Sequence, residues 1–559
     1  VLAAMKILTA QEMGAADKRS VEAGLPVARL MGAAGEAVAR FCIRHYPANG
    51  LVVVLAGKGN NGGDGMVAAR RLAEAGRTVR VVLLGAATDL KGEGVKAAWA
   101  ACQSTSKHRD VGHAGSHEIK LREIVDEQEL LAALTGAALV VDAVVGTGFK
   151  PPLRGLPAAA QKILLKSKVP VVSVDLPSGW DADSTEQTAE GAFRADAVVT
   201  FAAPKMAHVF GALTVGETFG PVVVAPIGTP LAAIQSSAGL HWAGSAKTIA
   251  EAPRAINGNK GRLGHVLLVG GAFGKAGAPS MASLAAMRTG AGLVTAAVPR
   301  EILSLVAVVA PELMLTPLST EGDGGLAMEQ LEEASLSKLL KGISVVGIGP
   351  GLGQEGTTPE FVRAFIERVT LPMVIDADAL NAIAGRTAFL SELTKYGKRT
   401  IVLTPHPGEM ARLISMTVKE VEVDRIGLAQ KFATEHGVTL VLKGWRTLIA
   451  HPDGTIAVNT TGNPSMAKGG SGDILTGIVS AMLAQYGDET KGGDVAKAVE
   501  AAVFLHGLAG DFACLAQDEH TVLATDTVDH LWQAFRARIT DVDGLTWISG
   551  TAKAGTPTQ

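Results

Sequence analysis

Cysteine is scarce: Cys42, Cys102 and Cys514 are the only three in 559 residues, and they form neither a CxxC pair nor a disulfide framework. That excludes a disulfide-held secreted scaffold and fits a reducing compartment with ordinary thiols. Aromatic residues make up 4% of the chain, so any core must be packed from small aliphatic side chains. No apolar run approaches the ~18 residues of a bilayer span, and Val1 to Met13 lack the apolar stretch of a signal peptide. No membrane partner is expected, and a cytoplasmic location follows by default. Positive charge is not in excess either: 51 Lys and Arg face 54 Asp and Glu without a dense basic run, which argues against nucleic acid as a partner. The chain also lacks a G-x-x-x-x-G-K-[ST] loop and any His, Glu or Cys spacing that announces a catalytic zinc.

What is abundant is glycine, 66 residues, within a chain that is 47% apolar and long enough for two large domains. Met5-Lys6-Ile7-Leu8-Thr9 reads as a natural start, so Val1 to Ala4 are set aside from fold reasoning. Short β-branched runs recur at helix-sized intervals: Leu51–Leu55, Val79–Leu84, Leu139–Val145, Val169–Val174, Val198–Phe201 and Val222–Ala225. A second series follows at His265–Val269, Leu293–Val298, Val345–Ile348, Met373–Ile375, Ile401–Leu403 and Leu440–Leu442. Being apolar at consecutive positions, these are strands covered on both faces, the mark of parallel sheets between helix layers. The expected fold class is α/β, with two three-layer α/β/α domains. The aperiodic stretch 229–245 reads as a linker between domains at 1–228 and 246–549, and 550–559 as a disordered tail. Asp453-Gly454 between Thr447–Ala450 and Ile456–Asn459 predicts a hairpin.

Downstream of that hairpin, Ile474, Leu475, Ile478, Val479, Met482 and Leu483 share one helical face, which predicts a helix starting near Gly472. Gly469-Gly470-Ser471-Gly472-Asp473 opens it. Glycines there let bare amides converge on an anion at the positive end of the helix dipole, a phosphate site by physics. Asp473 would repel phosphate unless it accepts a proton from an attacking hydroxyl, so it is the candidate general base. The plainer alternative makes it a first-turn carboxylate that steadies the helix.

Asn463-Pro464-Ser465-Met466-Ala467-Lys468 leading into Gly469–Asp473 resembles the signature of the ADP-dependent NAD(P)H-hydrate dehydratases, which are similar to ribokinase-like kinases. Asn259-Lys260-Gly261, Gly349-Pro350-Gly351-Leu352-Gly353, Asp376-Ala377-Asp378, Thr404-Pro405-His406-Pro407-Gly408-Glu409 and Lys443-Gly444 extend the likeness across the second half. The resemblance implies phosphorylation of the C6 hydroxyl of a hydrated nicotinamide ring, then loss of phosphate. Asp473 would deprotonate that hydroxyl, Gly472 would hold the phosphoryl group, and Lys443, Gly444, Trp445, Arg446 and Thr447 would contact the nucleotide. Ala278, Gly353 and His406 match substrate-contact positions, although His406 also reads as a packed loop histidine. ADP, with magnesium, is the implied donor.

In the first half, Gly57-Lys58-Gly59-Asn60-Asn61-Gly62 formally fits the dinucleotide fingerprint G-x-G-x-x-G. The next strand ends in Leu83-Leu84-Gly85 with no acid for a ribose, so the dehydrogenase reading falls. Asn60-Asn61-Gly62-Gly63-Asp64, Val141-Asp142, Gly146-Thr147-Gly148-Phe149-Lys150 and Val174-Asp175-Leu176-Pro177-Ser178-Gly179 instead resemble the NAD(P)H-hydrate epimerases, with a Rossmann-like fold. By that resemblance Asn61, Asp142 and Ser178 hold a potassium ion, though they also read as a hydrogen-bonded loop cluster. Asn60, Asn61, Gly62, Gly63, Asp64, Gly146, Thr147, Gly148, Phe149, Lys150, Pro151, Pro152 and Asp175 would surround the hydrated cofactor. Asp175 is the first candidate for the proton-transferring acid and Asp64 the second, since Asp64 also suits a helix cap. The substrates implied are NADHX and NADPHX, and a homo-oligomer is expected by analogy. The rival reading is a kinase for a vitamin-like alcohol joined to a non-catalytic binding module.

Overall fold

The computed structural model describes residues 4–47, 49–107, 119–214 and 220–550. Val1 to Ala3, and the tail expected to be disordered from residue 551 onward, lie outside the described residues. The chain divides into two compact units, one of residues 5–237 together with 539 onward, the other of residues 238–538.

Seven parallel strands run through the first unit: β1 (Leu51–Ala56), β2 (Thr78–Leu84), β3 (Ile119–Ile124), β4 (Ala137–Ala143), β5 (Val171–Val174), β6 (Ala197–Phe201) and β7 (Val222–Ala225). Their order is β7-β6-β5-β4-β1-β2-β3. Alternate side chains of β1 pack to opposite sides, as the period of a strand requires. Val52, Val54 and Ala56 join the helices Val27–His45 and Asn60–Glu74, while Val53 and Leu55 join Glu127–Leu134 and Leu156–Leu165. The sheet is thus covered by helices on both faces, as its unbroken apolar strands predict.

In the second unit the strands are β8 (Leu240–Trp242), β9 (His265–Val269), β10 (Leu293–Pro299), β11 (Met314–Leu318), β12 (Val345–Ile348), β13 (Met373–Ile375), β14 (Ile401–Leu403), β15 (Thr439–Leu442), β16 (Leu448–Ala450) and β17 (Ile456–Val458). They are ordered β11-β10-β9-β12-β13-β14-β15-β16-β17-β8, parallel except where β16 pairs antiparallel with β15 and β17. That exception is the predicted hairpin. His241 on β8 and His451 after β16 both bond Glu500 Oε1, at 2.8 and 3.0 Å, tying the sheet edge to the helix Val495–Ala516. This is the one described helix long and apolar enough to cross a membrane, and 83% of its apolar window is buried inside the protein.

Two boundaries differ from the sequence reading. Leu240–Trp242, within the expected linker, is β8 and pairs with β17; a strand of three residues is too short to show a period. Thr546–Ser549, expected to close the second domain, is β18 and pairs antiparallel with β7 in the first sheet. Trp547 holds it there by packing edge-on against His45, with ring centroids 5.5 Å apart.

Cys42, Cys102 and Cys514 are free thiols, and burial pushes the Cys42 and Cys102 thiols up to about 12. These two are inert packing groups.

Candidate active sites

In an open parallel sheet, ligands bind beyond the carboxyl ends of the strands, where the strand order reverses. In the first sheet that point lies between β1 and β4, because the chain runs from β1 out to β2 and β3 and then returns to β4. A cavity of about 890 Å³ opens there, lined by Gly57–Asn61 after β1 and Val144–Phe149 after β4. It also takes in Asp17, Asp64, Asp175 and Lys205.

Asn60, Asn61, Asp64, Gly146, Thr147, Gly148, Phe149 and Asp175 line this one space. Gly62 and Gly63 do not line it: a Cβ on Gly62 would lie 2.0 Å from the Gly57 carbonyl oxygen, and one on Gly63 2.6 Å from Met31 Cε. Gly62 lets the helix Asn60–Glu74 sit against the end of β1, and Gly63 leaves room for Met31 of the helix Val27–His45. Lys150, Pro151 and Pro152 also lie outside the lining, Lys150 being paired with Asp181 and Asp183 at 2.7 and 2.9 Å.

Asp142 is fully buried and accepts four hydrogen bonds: Ser178 Oγ at 2.5 Å, Ser178 N at 2.8 Å, Ser173 Oγ at 3.0 Å and Val144 N at 3.3 Å. Burial still pushes its carboxyl above the ordinary range, against the pull of these hydrogen bonds. Asn61 adjoins Gly146, and its buried Nδ2 has no partner among the described residues. Hard oxygen donors around a buried carboxylate are a set that fits a monovalent cation.

Asp175 takes a left-handed backbone conformation, φ 66°, which a non-glycine residue holds only when its surroundings dictate it. Here they do. Lys205 Nζ lies 2.7 Å from Asp175 Oδ1, and Thr200 Oγ1 donates to the same oxygen at 2.8 Å. His208 Nδ1 accepts from Lys205 N, which leaves Nε2–H to donate to the Asp175 carbonyl at 2.6 Å. Burial opposes the charge on Asp175, yet the Lys205 ammonium, with Thr200 donating to the same oxygen, holds its carboxyl below the ordinary range. Burial, then the Lys205 charge, pushes His208 down to about 4, so it stays neutral. Asp64 is the reverse case: burial, then the charges of Asp175 and Asp17, hold its carboxyl well above the ordinary range.

The second unit's cavity, about 720 Å³, is lined by Asp376 after β13, His406 and Glu409 after β14, Lys443–Thr447 after β15, and Gly470–Asp473. The helix Ser471–Tyr486 begins there behind Gly470, at φ 97°, and no side chain caps it. Ser471 N donates to Lys468 O at 3.4 Å, and an uncapped helix start of this kind offers its following amides to an anion. A Cβ on Gly472 would lie 3.3 Å from Lys443 Nζ and 3.7 Å from Asp376 Oδ2, so this turn stands directly over an ion pair. Lys443 Nζ is 3.0 Å from Asp376 Oδ1 and 3.6 Å from Glu409 Oε2, and Thr476 Oγ1 donates to Asp376 Oδ2 at 2.7 Å. Burial, then the Asp376 charge, pushes Asp473 up to about 7 against the pull of Lys443. Asp473 is thus poised between its two protonation states at neutral pH.

Among the other sequence candidates, His406 accepts from Gly408 N at 3.0 Å through Nδ1 and caps the helix Pro407–Leu413, while its ring also lines the cavity. Ala278 and Gly353 lie outside that lining. They sit near the second sheet's own reversal point, between β9 and β12: a Cβ on Gly351 would lie 3.0 Å from Ala278 Cβ, and Gly353 N donates to Asp378 Oδ2 at 2.8 Å.

Sequence reasoning missed Lys205, Thr200, His208 and Asp17 in the first site, and assigned no role to Asp376, Glu409 or His506 in the second. His506 lines the second cavity with a buried Nε2 that has no partner among the described residues, and burial pushes it down to about 4. The position of Lys205 just past β6 was the available signal, since strand ends build sites.

Residues 266–533 match the family described as NAD(P)H-hydrate dehydratase, and residues 27–207 the family described as YjeF-related protein N-terminus. The chain is 40% identical over 541 residues to a bifunctional NAD(P)H-hydrate repair enzyme of Moorella thermoacetica, covering 94% of this chain and 96% of that protein. It is 32% identical over 528 residues to the enzyme of the same description from Escherichia coli, covering 93% and 91%. Among solved structures, an ADP/ATP-dependent NAD(P)H-hydrate dehydratase from Bacillus subtilis, co-crystallised with ATP and Mg²⁺, is 30% identical, covers 53% of this chain and 96% of its own, and superposes with a TM-score of 0.42.

Proposed function

Because the chain belongs to the family of bifunctional NAD(P)H-hydrate repair enzymes, we propose that its second unit dehydrates hydrated NADH and NADPH at the expense of ADP and that its first unit interconverts the R and S hydrates. The observation that carries this reading is the uncapped helix Ser471–Tyr486 opening on Asp473 beside the Lys443–Asp376 pair. Asp473 takes the proton of the C6 hydroxyl, and the freed oxygen attacks the terminal phosphorus of ADP, breaking its bond to the bridging oxygen so that AMP departs. First-turn amides around Gly472 and the Lys443 ammonium stabilise the charge that develops on the transferring group. The ring nitrogen then expels phosphate from C6, loss of a C5 proton restores the double bond, and NAD(P)H is released.

Lys443, Gly444, Trp445, Arg446 and Thr447 are the proposed nucleotide contacts, supported by their place on one wall of the cavity. Asp376, Glu409 and Asp473 line this cavity beside Lys443, and carboxylate oxygens next to a phosphate chain suit a nucleotide that brings magnesium with it. His406, with Ala278 and Gly353 near the reversal point, is proposed to hold the hydrated cofactor. In the first unit, the cavity between Asn60–Asp64 and Gly146–Phe149 is the proposed hydrate site. Asn61, Asp142 and Ser178 would hold potassium, which neutralises a buried carboxylate and fixes the two loops. A homo-oligomer is part of the same reading, and sedimentation tests it.

Purified protein incubated with mixed NADH hydrates and ADP is expected to release inorganic phosphate and regain NADH absorbance in equal amounts. Asp473→Asn should lower that turnover by about 10²–10⁴-fold while nucleotide binding persists. Accumulation of a stable phosphorylated product would instead establish a small-molecule kinase.

A further inference from the structure

Epimerisation at C6 requires that hydroxide leave as water and return as water, with a cation on the ring in between. One group must give and recover a proton, and another must stay negative opposite the cation. The first cavity holds two carboxylates, and their surroundings divide these tasks between them.

Asp175 is committed. Its Oδ1 already receives Lys205 Nζ and Thr200 Oγ1, its carbonyl receives His208, and its left-handed backbone leaves the side chain little freedom. Lys205 is 1% exposed, so this ion pair is sealed from water on the lysine side. A carboxylate so held resists protonation and is a poor proton carrier.

Asp64 is not committed. It projects from the helix Asn60–Glu74 into the same cavity and has no lysine or arginine partner among the described residues. The charged groups that face it are Asp17 from the helix Ala10–Glu22, Asp175 after β5 and Lys205 after β6. Two of these are acids, and the lysine belongs to Asp175. Of the other lysines in the lining, Lys58 is paired with Asp89 at 2.7 Å, and Lys91 lies beyond the groups that act on Asp64.

Resting on the epimerase reading above, we propose that Asp64 is the proton carrier of epimerisation, that Asp175 is the fixed counter-charge, and that Lys205 is a positioning residue acting through Asp175. The neutral Asp64 carboxyl gives its proton to the C6 oxygen, the C6–O bond breaks as the ring nitrogen lone pair forms the C6–N double bond, and water departs. Asp175 remains ionised beside the resulting cation. Water then adds to either face of the flattened ring and returns its proton to the Asp64 carboxylate, directly or through a second water. Nothing is consumed, and both residues end as they began. This reverses the order that the sequence suggests, in which Asp175 leads. Two carboxyls driven apart in proton affinity are how one site runs acid chemistry and charge stabilisation together.

The test follows R and S hydrate interconversion without ADP, in the full chain, across pH. Wild-type activity comes first: without it the epimerase reading itself fails. With it, kcat should fall on the alkaline side as Asp64 loses its proton. Asp64→Asn should slow interconversion at least about 100-fold, leave KM within a few-fold and abolish the alkaline limb, while Asp64→Glu retains that limb. Lys205→Met should move the acid limb upward by freeing Asp175 to take a proton, and Lys205→Arg should restore it. A near-normal rate in Asp64→Asn, a raised KM with unchanged kcat, or a wild-type profile without an alkaline limb would each overturn the assignment.

Discussion

Asp473 gives a prediction with a definite sign. As a base it must be ionised, and its carboxyl is pushed up to about 7 by burial and by Asp376. kcat/KM for dehydration should therefore rise with pH through about 7 and level off above it, which a buffer series measures directly. The same shift acts on stability. The folded state holds a proton that the unfolded chain has already lost above the ordinary carboxylate range, so the burden of the charge grows as pH rises toward 7 and is complete above it. Asp473→Asn should accordingly raise the thermal midpoint at pH 8 and change it little at pH 4, a stability gain bought with activity. An equal shift at both values would contradict the electrostatic account. Asp473 was legible because glycines flank it and a helical period follows. Lys205 was not, since nothing in Phe201-Ala202-Ala203-Pro204-Lys205 links it to an acid thirty residues earlier; only the parallel pairing of β5 with β6 does.

At the level of elements, the glycine turn that opens the helix Ser471–Tyr486 depends on how closely two helices approach. A Cβ on Gly477 would lie 2.0 Å from the Ala282 carbonyl oxygen, so the helices Ser471–Tyr486 and Gly277–Thr289 meet backbone to backbone. Gly477→Ala should force them apart, lower stability by about 1–3 kcal/mol in denaturant unfolding, and weaken nucleotide binding by displacing the helix that carries Gly472 and Asp473. Unchanged stability would mean the contact relaxes freely. Central strands were readable because both faces are buried and most positions are apolar, as in Leu51–Ala56. Edge strands were not: β3 exposes Lys120, Arg122 and Glu123 between its buried ends, and β11 contains Pro317. The close packing of Gly62 and Gly63 was likewise hidden, because a glycine needed for a helix contact and a glycine needed for a ligand look the same in one sequence.

Across the whole molecule, the two units repeat one rule: a parallel sheet, a reversal of strand order, and loops at the carboxyl ends that form a cavity. What joins them is the chemistry of a mixed substrate. If the second unit accepts the S hydrate alone, wild type supplied with ADP should convert a mixture of epimers completely, whereas Asp64→Asn should stop at the S share and resume only as the R form interconverts unaided. Chromatography of the residual hydrate decides this, and complete conversion at the wild-type rate would show that the second unit takes both epimers.

The pairing of β18 with β7 orders these events in time. During translation the strands β1 to β7 leave the ribosome first, and β7 then stands as an open sheet edge, able to pair with any passing strand. It stays so until Thr546–Ser549 has been made, after the entire second unit. The half of the protein that is synthesised first is therefore the last to be completed.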